Sequence, residues 1–457
     1  MTDYAQLFED DRAHFMHPST HAHDHASGAL PGRIITGASG VRIRDHQGCE
    51  LLDAFAGLYC VNIGYGRTEV ADAIHAQATQ LAYYHTYVGH SSEAIIELSA
   101  RIIRDWAPAG MKKVYYGLSG SDANETQVKL VRYYNNVLGR PQKKKIISRQ
   151  RGYHGVTVAA ASLTGLPANH QDFDLPIARI GHVECPHHYR YANPGESEAD
   201  FATRLADALE QRILQEGPDT VAAFIAEPVM GAGGVIVPPE TYFEKIQAVL
   251  RKYEVLMVAD EVICGFGRTG QMFGSHTFGI QPDILTCAKA LSSGYVPISA
   301  VMVAPKIYEA MAANSGKIGT FGHGYTYSGH PVAAAVALET LKVYEDEQIL
   351  AHVNQLSPVF QGRLRGYLER AYVGEARGVG LIGAIELVAD KATRQPFDPA
   401  LKLGYRLAQF AQEEGLIVRA MGDAVALCPP LIITEAEMAE MFARLDRALD
   451  KLQATLP

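Results

Sequence analysis

Two side chains of opposite charge stand 29 residues apart, about one strand-to-strand repeat: Asp260, which ends the apolar run VLMVAD, and Lys289, which ends DILTCAK. Lys289 follows Ile284, Leu285, Thr286, Cys287 and Ala288, and no charged residue follows it until Lys306. An unpaired ammonium is expensive to bury, so either this lysine snorkels to solvent or its nitrogen does chemistry. Asp260 precedes the glycine-rich EVICGFGRTG. At the carboxyl end of a strand a carboxylate can meet a ligand's positive charge, make a turn or bind a metal. Magnesium with a nucleotide is a rival reading, but the chain has no G-x-x-x-x-G-K-[ST] loop to support it.

A third element is YYGLSGSDANETQVKL, where a strand ends at Gly117 and Gly120, and Ser121 and Asp122 precede a long helix. Free N–H groups at a helix start, with a hydroxyl beside them, suit a phosphate; ordinary strand-to-helix turns use the same residues. Tyr153 and His154 in QRGYHG offer a ring that either stacks on a flat cofactor or covers a loop. An anion anchor, a carboxylate for a pyridinium nitrogen and an amine for a Schiff base are together the parts that hold pyridoxal phosphate.

These residues need a scaffold that gathers strand ends. From about Glu69 onward, short apolar runs (KKVYYGL, KKKIISRQ, VAAFIAEP, VLMVADE, DILTCAK, ISAVMVAP) alternate with helical segments. That alternation predicts an α/β fold whose mostly parallel sheet is covered by helices on both faces. The expected division is 1–68, with a short β hairpin that joins the small domain; 69–327, the large cofactor-binding domain; and 328–457, a smaller α+β domain. In the last part we expect a helix around 350–371, strands at GLIGAIELV, GLIVRA and AVALCPP, and a final helix opened by the capping box Thr434 to Glu437.

The totals agree with a large globular protein. The chain has 457 residues, 47% hydrophobic and 20% charged, and a net charge of −9 without a long basic run, which argues against nucleic acid as a partner. The densest basic cluster, Lys143 to Lys145, reads as a solvated strand entrance. Cysteines 49, 60, 185, 264, 287 and 428 show no close pairing, which fits a reducing compartment. No stretch approaches the roughly 20 apolar residues of a membrane span, so a cytoplasmic protein is expected.

The stretches GSDANE, GYHG, EPVMGAGG, ADEVICGFGRTG, CAKALSSGYVPISAVM and YTYSGHP occur in an order and spacing that resembles the class III, or omega, aminotransferases of the fold type I pyridoxal-phosphate enzymes. The likeness runs from about His17 to the last helix. It implies that Lys289 is the Schiff-base lysine, Asp260 pairs with the ring nitrogen, and Gly120 and Ser121 hold the phosphate. It also implies that Tyr153 and Val262 pack on the two ring faces, and that Glu227 and His154 support the site. Thr326 would reach the phosphate of a neighbouring subunit, so the active unit would be a homodimer with shared sites. The substrate pocket would be lined by Tyr59, Tyr87, Tyr153, Arg419 and Tyr325, with Arg419 offering a fork to a keto-acid carboxylate or else standing as a surface arginine.

The implied reaction moves the terminal amino group of an amine or omega-amino acid to a keto acid, with pyruvate the expected acceptor, by a ping-pong mechanism. Where many pyruvate-dependent members have Trp and Phe, this chain has Tyr59 and Tyr325. Their hydroxyls favour polar donors such as beta-alanine, taurine or a polyamine; the sequence does not rank these against an aryl amine. Racemases, aminomutases and a decarboxylating transaminase use the same parts, and a non-enzymatic phosphate-ligand-binding protein is the alternative outside the family. The histidines at 14, 17, 21, 23 and 25 match neither C-x-x-C nor H-E-x-x-H spacing. We expect no metal there, but an ordered arm near the dimer interface.

Overall fold

The computed structural model describes residues 2–30 and 32–456. At its centre lies a seven-stranded sheet with the spatial order Lys113–Gly117, Ser299–Val303, Ile284–Cys287, Leu256–Asp260, Val221–Ala226, Lys145–Arg149 and Ile180–Val183. The last five of these are mutually parallel, and Ser299–Val303 runs antiparallel to both of its neighbours. The sheet is therefore mostly parallel, as the alternation of elements predicts.

Val221–Ala226, Leu256–Asp260 and Ile284–Cys287 are buried along their whole length, because both faces of the sheet are covered. Ile225, Val258 and Ile284 face one core with Val128 and Val131 of the helix Gly120–Val137. Phe224, Met257 and Leu285 face the other, with Ile246 and Leu250 of the helix Tyr242–Lys252. Among the described residues no helix is long and apolar enough to cross a membrane.

Two smaller sheets flank this body. Val373–Val379, Ile382–Leu387, Ala424–Leu427 and Arg419–Met421 make an antiparallel sheet. The amino-terminal hairpin Arg42–Asp45 and Glu50–Asp53, preceded by Ile35–Ser39, gains Leu416–Ile417 as a parallel fourth strand. The run GLIVRA, expected as one strand, is thus two. The chain leaves one sheet after Ile417 and enters the other at Arg419, so its two halves bond to different partners.

The reading of Lys143 to Lys145 as solvated also needs correction. Lys143 and Lys144 are only 5% and 7% exposed. Their Nζ atoms donate to main-chain carbonyls, Lys143 to Tyr253 at 2.9 Å and Lys144 to Arg140 at 3.3 Å. Burial pushes both ammonium pKa values down. The final helix, Glu435–Gln453, does open on the expected box of Thr434 and Glu437.

Candidate active site

Asp260 is the last residue of its strand, and Lys289 follows the neighbouring parallel strand by two residues, so both stand at one edge of the sheet. The Asp260 carboxylate is 2% exposed. Its Oδ2 accepts Asn124 Nδ2 and His154 Nδ1, each at 2.7 Å, and Oδ1 accepts the Val262 N–H at 3.1 Å. Because an ionised carboxylate only accepts, His154 carries a proton on Nδ1. Its Nε2 is buried with no partner among the described residues.

Asn124 is fully buried and fixed from two sides. Its Nδ2 also donates to the His154 carbonyl at 2.8 Å, and its Oδ1 accepts Thr286 Oγ1 at 3.1 Å. Sequence reasoning singled out neither Asn124 nor Thr286. The available signal was one turn of helix between Gly120 and Asn124, and a lone hydroxyl in the apolar strand before Lys289.

Glu227 follows the strand Val221–Ala226 and is buried. Its two oxygens accept the N–H groups of Tyr153 and Gly231, each at 3.0 Å. Burial pushes its carboxyl up. Tyr153 is half-buried, and its phenol is also raised by burial, with Asp260 and Glu227 adding to the shift and Arg419 opposing it.

The helix Gly120–Val137 begins one turn earlier than expected. Ser119 is its cap, in a box with Asp122, which places Gly120, Ser121 and Asp122 in the first turn. Asp122 accepts the N–H groups of Leu118 and Ser119 and the hydroxyl of Ser299 at 2.6, 3.0 and 2.7 Å. Those bonds orient the turn and leave the Gly120 and Ser121 N–H groups, which have no intrahelical acceptor, facing outward. The cradle is tight: a Cβ on Gly120 would lie 2.9 Å from Val262 Cγ1, and one on Gly155 would lie 2.7 Å from Ser121 Cα. Gly155 also holds φ +121°, which side-chain-bearing residues avoid, and the Val156 N–H donates to Ser121 Oγ at 3.0 Å.

Lys289 is half-buried, with φ +42°, and forms no ion pair among the described residues. Its Nζ lies 5.6 Å from the centre of the Tyr59 ring. Tyr59 belongs to Ala56–Tyr59, a segment held in left-handed conformation by φ values of 45°, 56°, 88° and 62°. The Tyr59 hydroxyl lies 4.0 Å from Met421 Sδ, and burial pushes its phenol well up. Tyr59 is 4% exposed, and the lysine nitrogen lies over its ring. Arg419 is exposed, 5.8 Å from the Phe55 ring, and carries no ion pair among the described residues.

Gly120, Ser121, Tyr153, His154, Glu227, Asp260, Val262, Lys289, Tyr59 and Arg419 are therefore gathered at one edge. Tyr87, Tyr325 and Thr326 cluster beside the first turn of the helix Gly120–Val137. Tyr325 donates to the Asp122 carbonyl at 3.2 Å, Tyr83 donates to the Thr326 carbonyl at 2.6 Å, and Tyr87 borders Gly324. Thr326 is exposed and Tyr87 is 45% exposed.

The donor set fits a phosphorylated pyridine aldehyde. Unpaired N–H groups at a helix start suit the phosphate, the enclosed carboxylate suits a ring cation, and an amine without a counter-charge suits a carbonyl carbon. Residues 23–449 match the family described as Aminotransferase class-III. The chain is 53% identical over 461 residues to a diaminobutyrate–2-oxoglutarate transaminase of Halomonas elongata, covering 100% of this chain and 98% of that one. Among solved structures it is similar to a transaminase from directed evolution by ancestral reconstruction, with TM-score 0.98 and 62% identity, each chain covered fully. The omega transaminase of Pseudomonas jessenii in complex with PMP superposes with TM-score 0.96 at 51% identity, covering 98% of both chains.

Proposed function

We propose a substrate class and a set of residue roles from one premise: this chain belongs to the class-III aminotransferases, enzymes that move amino groups with pyridoxal phosphate. The proposed reaction takes the terminal amino group of an amine or omega-amino acid and delivers it to a keto acid, with pyruvate as acceptor, by a ping-pong mechanism. One observation chiefly supports this: Asp260 ends one strand and Lys289 follows its parallel neighbour by two residues, beside the helix start at Gly120 and Ser121.

When bound, pyridoxal phosphate supplies an aldehyde that takes up an amino group and a ring that takes up electrons. Lys289 Nζ is the amine that would hold the cofactor and would carry the proton taken from the carbon bearing the donor's nitrogen. Asp260 holds the ring-nitrogen proton, and Asn124 and His154 fix the direction of its carboxylate. Gly120 and Ser121 would anchor the phosphate and Tyr153 and Val262 would flank the ring, while Glu227 positions Tyr153 through its backbone N–H. The cluster of half-buried Tyr325 with exposed Tyr87 and Thr326 serves the site of a second copy, which makes the working unit a homodimer. We place the enzyme in the cytoplasm, where its six cysteines stay reduced.

A second acceptor has an observation in its favour. Arg419 has no ion pair among the described residues, so its fork is open to the distal carboxylate of 2-oxoglutarate, the acceptor named for the Halomonas relative. The test follows the visible spectrum of the purified holoenzyme through a panel of terminal amines without keto acid, then with pyruvate or 2-oxoglutarate. Conversion by an amine and recovery with alanine or glutamate formed supports the reading and selects the acceptor. Racemisation or isomerisation of the amine without a keto acid refutes it. Lys289→Ala should abolish turnover with the fold intact, and retained turnover refutes the role given to that lysine.

A further inference from the structure

We propose that the amino-terminal arm carries a divalent transition-metal site formed by Asp11, His17 and His25. The helix Tyr4–His14 presents Asp11, and the chain then turns so that the short helix Ala22–Ala26 brings His25 back beside it. His17 Nε2 lies 2.9 Å from Asp11 Oδ1 and His25 Nε2 lies 3.1 Å from Asp11 Oδ2. The two imidazole centroids are 4.5 Å apart. One ligand atom from each of the three residues lies within 4.8 Å of the others.

A tetrahedral zinc with ligands at about 2.0–2.2 Å separates its donors by roughly 3.3 Å. The arm already approaches that arrangement, and small ring rotations complete it. Two imidazoles and one carboxylate favour zinc and its transition-metal neighbours over magnesium or calcium, which prefer all-oxygen shells. The side chains are 31%, 33% and 19% exposed for Asp11, His17 and His25, so an ion has access and water can fill the remaining position. Ligands six and eight residues apart escape short-spacing motifs, because the turn between the helices creates the site. His21 is not part of it; it pairs with Asp24 at 3.1 Å. Bound metal would tie helix, turn and helix into one unit.

The test uses the untagged, full-length holoenzyme dialysed against Zn2+, with metal per chain measured by mass spectrometry and amide exchange followed over residues 4–26. One chelator-removable Zn2+ per chain and slower exchange across the arm are expected. His17→Ala and His25→Ala should each weaken binding by more than the ~10–100-fold that loss of an outer-shell partner costs, while a His21→Ala/His23→Ala variant binds as the parent does. Asp11→Asn should lose Zn2+ while its metal-free exchange stays like that of the parent, separating ligand loss from an unfolded arm. Absence of retained Zn2+, binding unchanged in the His17, His25 or Asp11 variants, or binding lost in the His21/His23 variant overturns the proposal.

Discussion

Gly120→Ala tests the cradle without touching a polar group. The new methyl would lie 2.9 Å from Val262 Cγ1 and 3.1 Å from Cγ2, whereas carbon atoms pack at roughly 3.5–4.0 Å. Helix and valine must therefore separate by ~0.4–1 Å. Val262 is held at its backbone, where its N–H is tied to Asp260, and its β-branched side chain has few rotamers in which to retreat. Overpacking of this kind costs about 1–3 kcal/mol, which corresponds to roughly 5- to 150-fold in cofactor affinity if the strain falls on the bound state. The clash is present without cofactor as well, so whatever part of the penalty the apoenzyme bears should appear as a lower melting temperature of the apo form, which trimming Val262 restores. Cofactor affinity is read by fluorescence titration of apoenzyme for the parent, Gly120→Ala, Val262→Ala and the double variant. Trimming the valine should remove most of the penalty, giving a coupling of about 1 kcal/mol or more. Equal loss of affinity in both backgrounds would refute the steric reasoning.

Two further outcomes follow from the buried networks. Asn124→Ala removes the second donor on Asp260 Oδ2 and should lower kcat by about tenfold or more with little change in KM, consistent with ~1–3 kcal/mol for an unsatisfied buried partner; an unchanged kcat in steady-state assays argues that His154 alone fixes the carboxylate. Glu386 is buried, which raises its pKa, yet Arg377 and Arg190, each at 2.5 Å, together with His187, hold it down to about 2 from 4.5. A depressed carboxylate stabilises the fold above its unfolded value and loses that stabilisation as pH falls from about 4.5 toward 2, an effect of roughly 3 kcal/mol. In urea titrations Glu386→Gln should be less stable than the parent at pH 6 and show a shallower acid decline, and a parallel decline would contradict the assignment.

Much of this arrangement is legible in the chain. Fully buried parallel strands are continuous apolar runs, so VLMVAD and DILTC declare themselves, and with them the shared edge of Asp260 and Lys289. Ile180–Val183 does not: it is four residues long, with Gly181 and His182 breaking the apolar pattern, and only its pairing with Lys145–Arg149 makes it a strand. The break after Ile417 is equally silent, because propensity describes a segment and not the sheet it joins. A charge count makes Lys143 and Lys144 look solvated because it ignores the carbonyls that receive them, brought from residues 218 and 253 for Lys143 and from Arg140 and Lys143 for Lys144. Asn124 escaped notice for a related reason: its worth lies in Thr286 and His154, distant in sequence and adjacent only after folding.

The reversed strand Ser299–Val303 has a consequence for how this protein is made. Among the described residues it is the sole sheet partner of Lys113–Gly117, yet it is synthesised about 180 residues later. At roughly 5–20 residues per second the earlier strand waits on the order of 10–40 s after leaving the ribosome, presenting Val114, Tyr115 and Tyr116 without a neighbour. The exposed lysines at its entrance, Lys112 and Lys113, act as charged gatekeepers over that interval, discouraging edge-to-edge association until the chain that completes the sheet arrives.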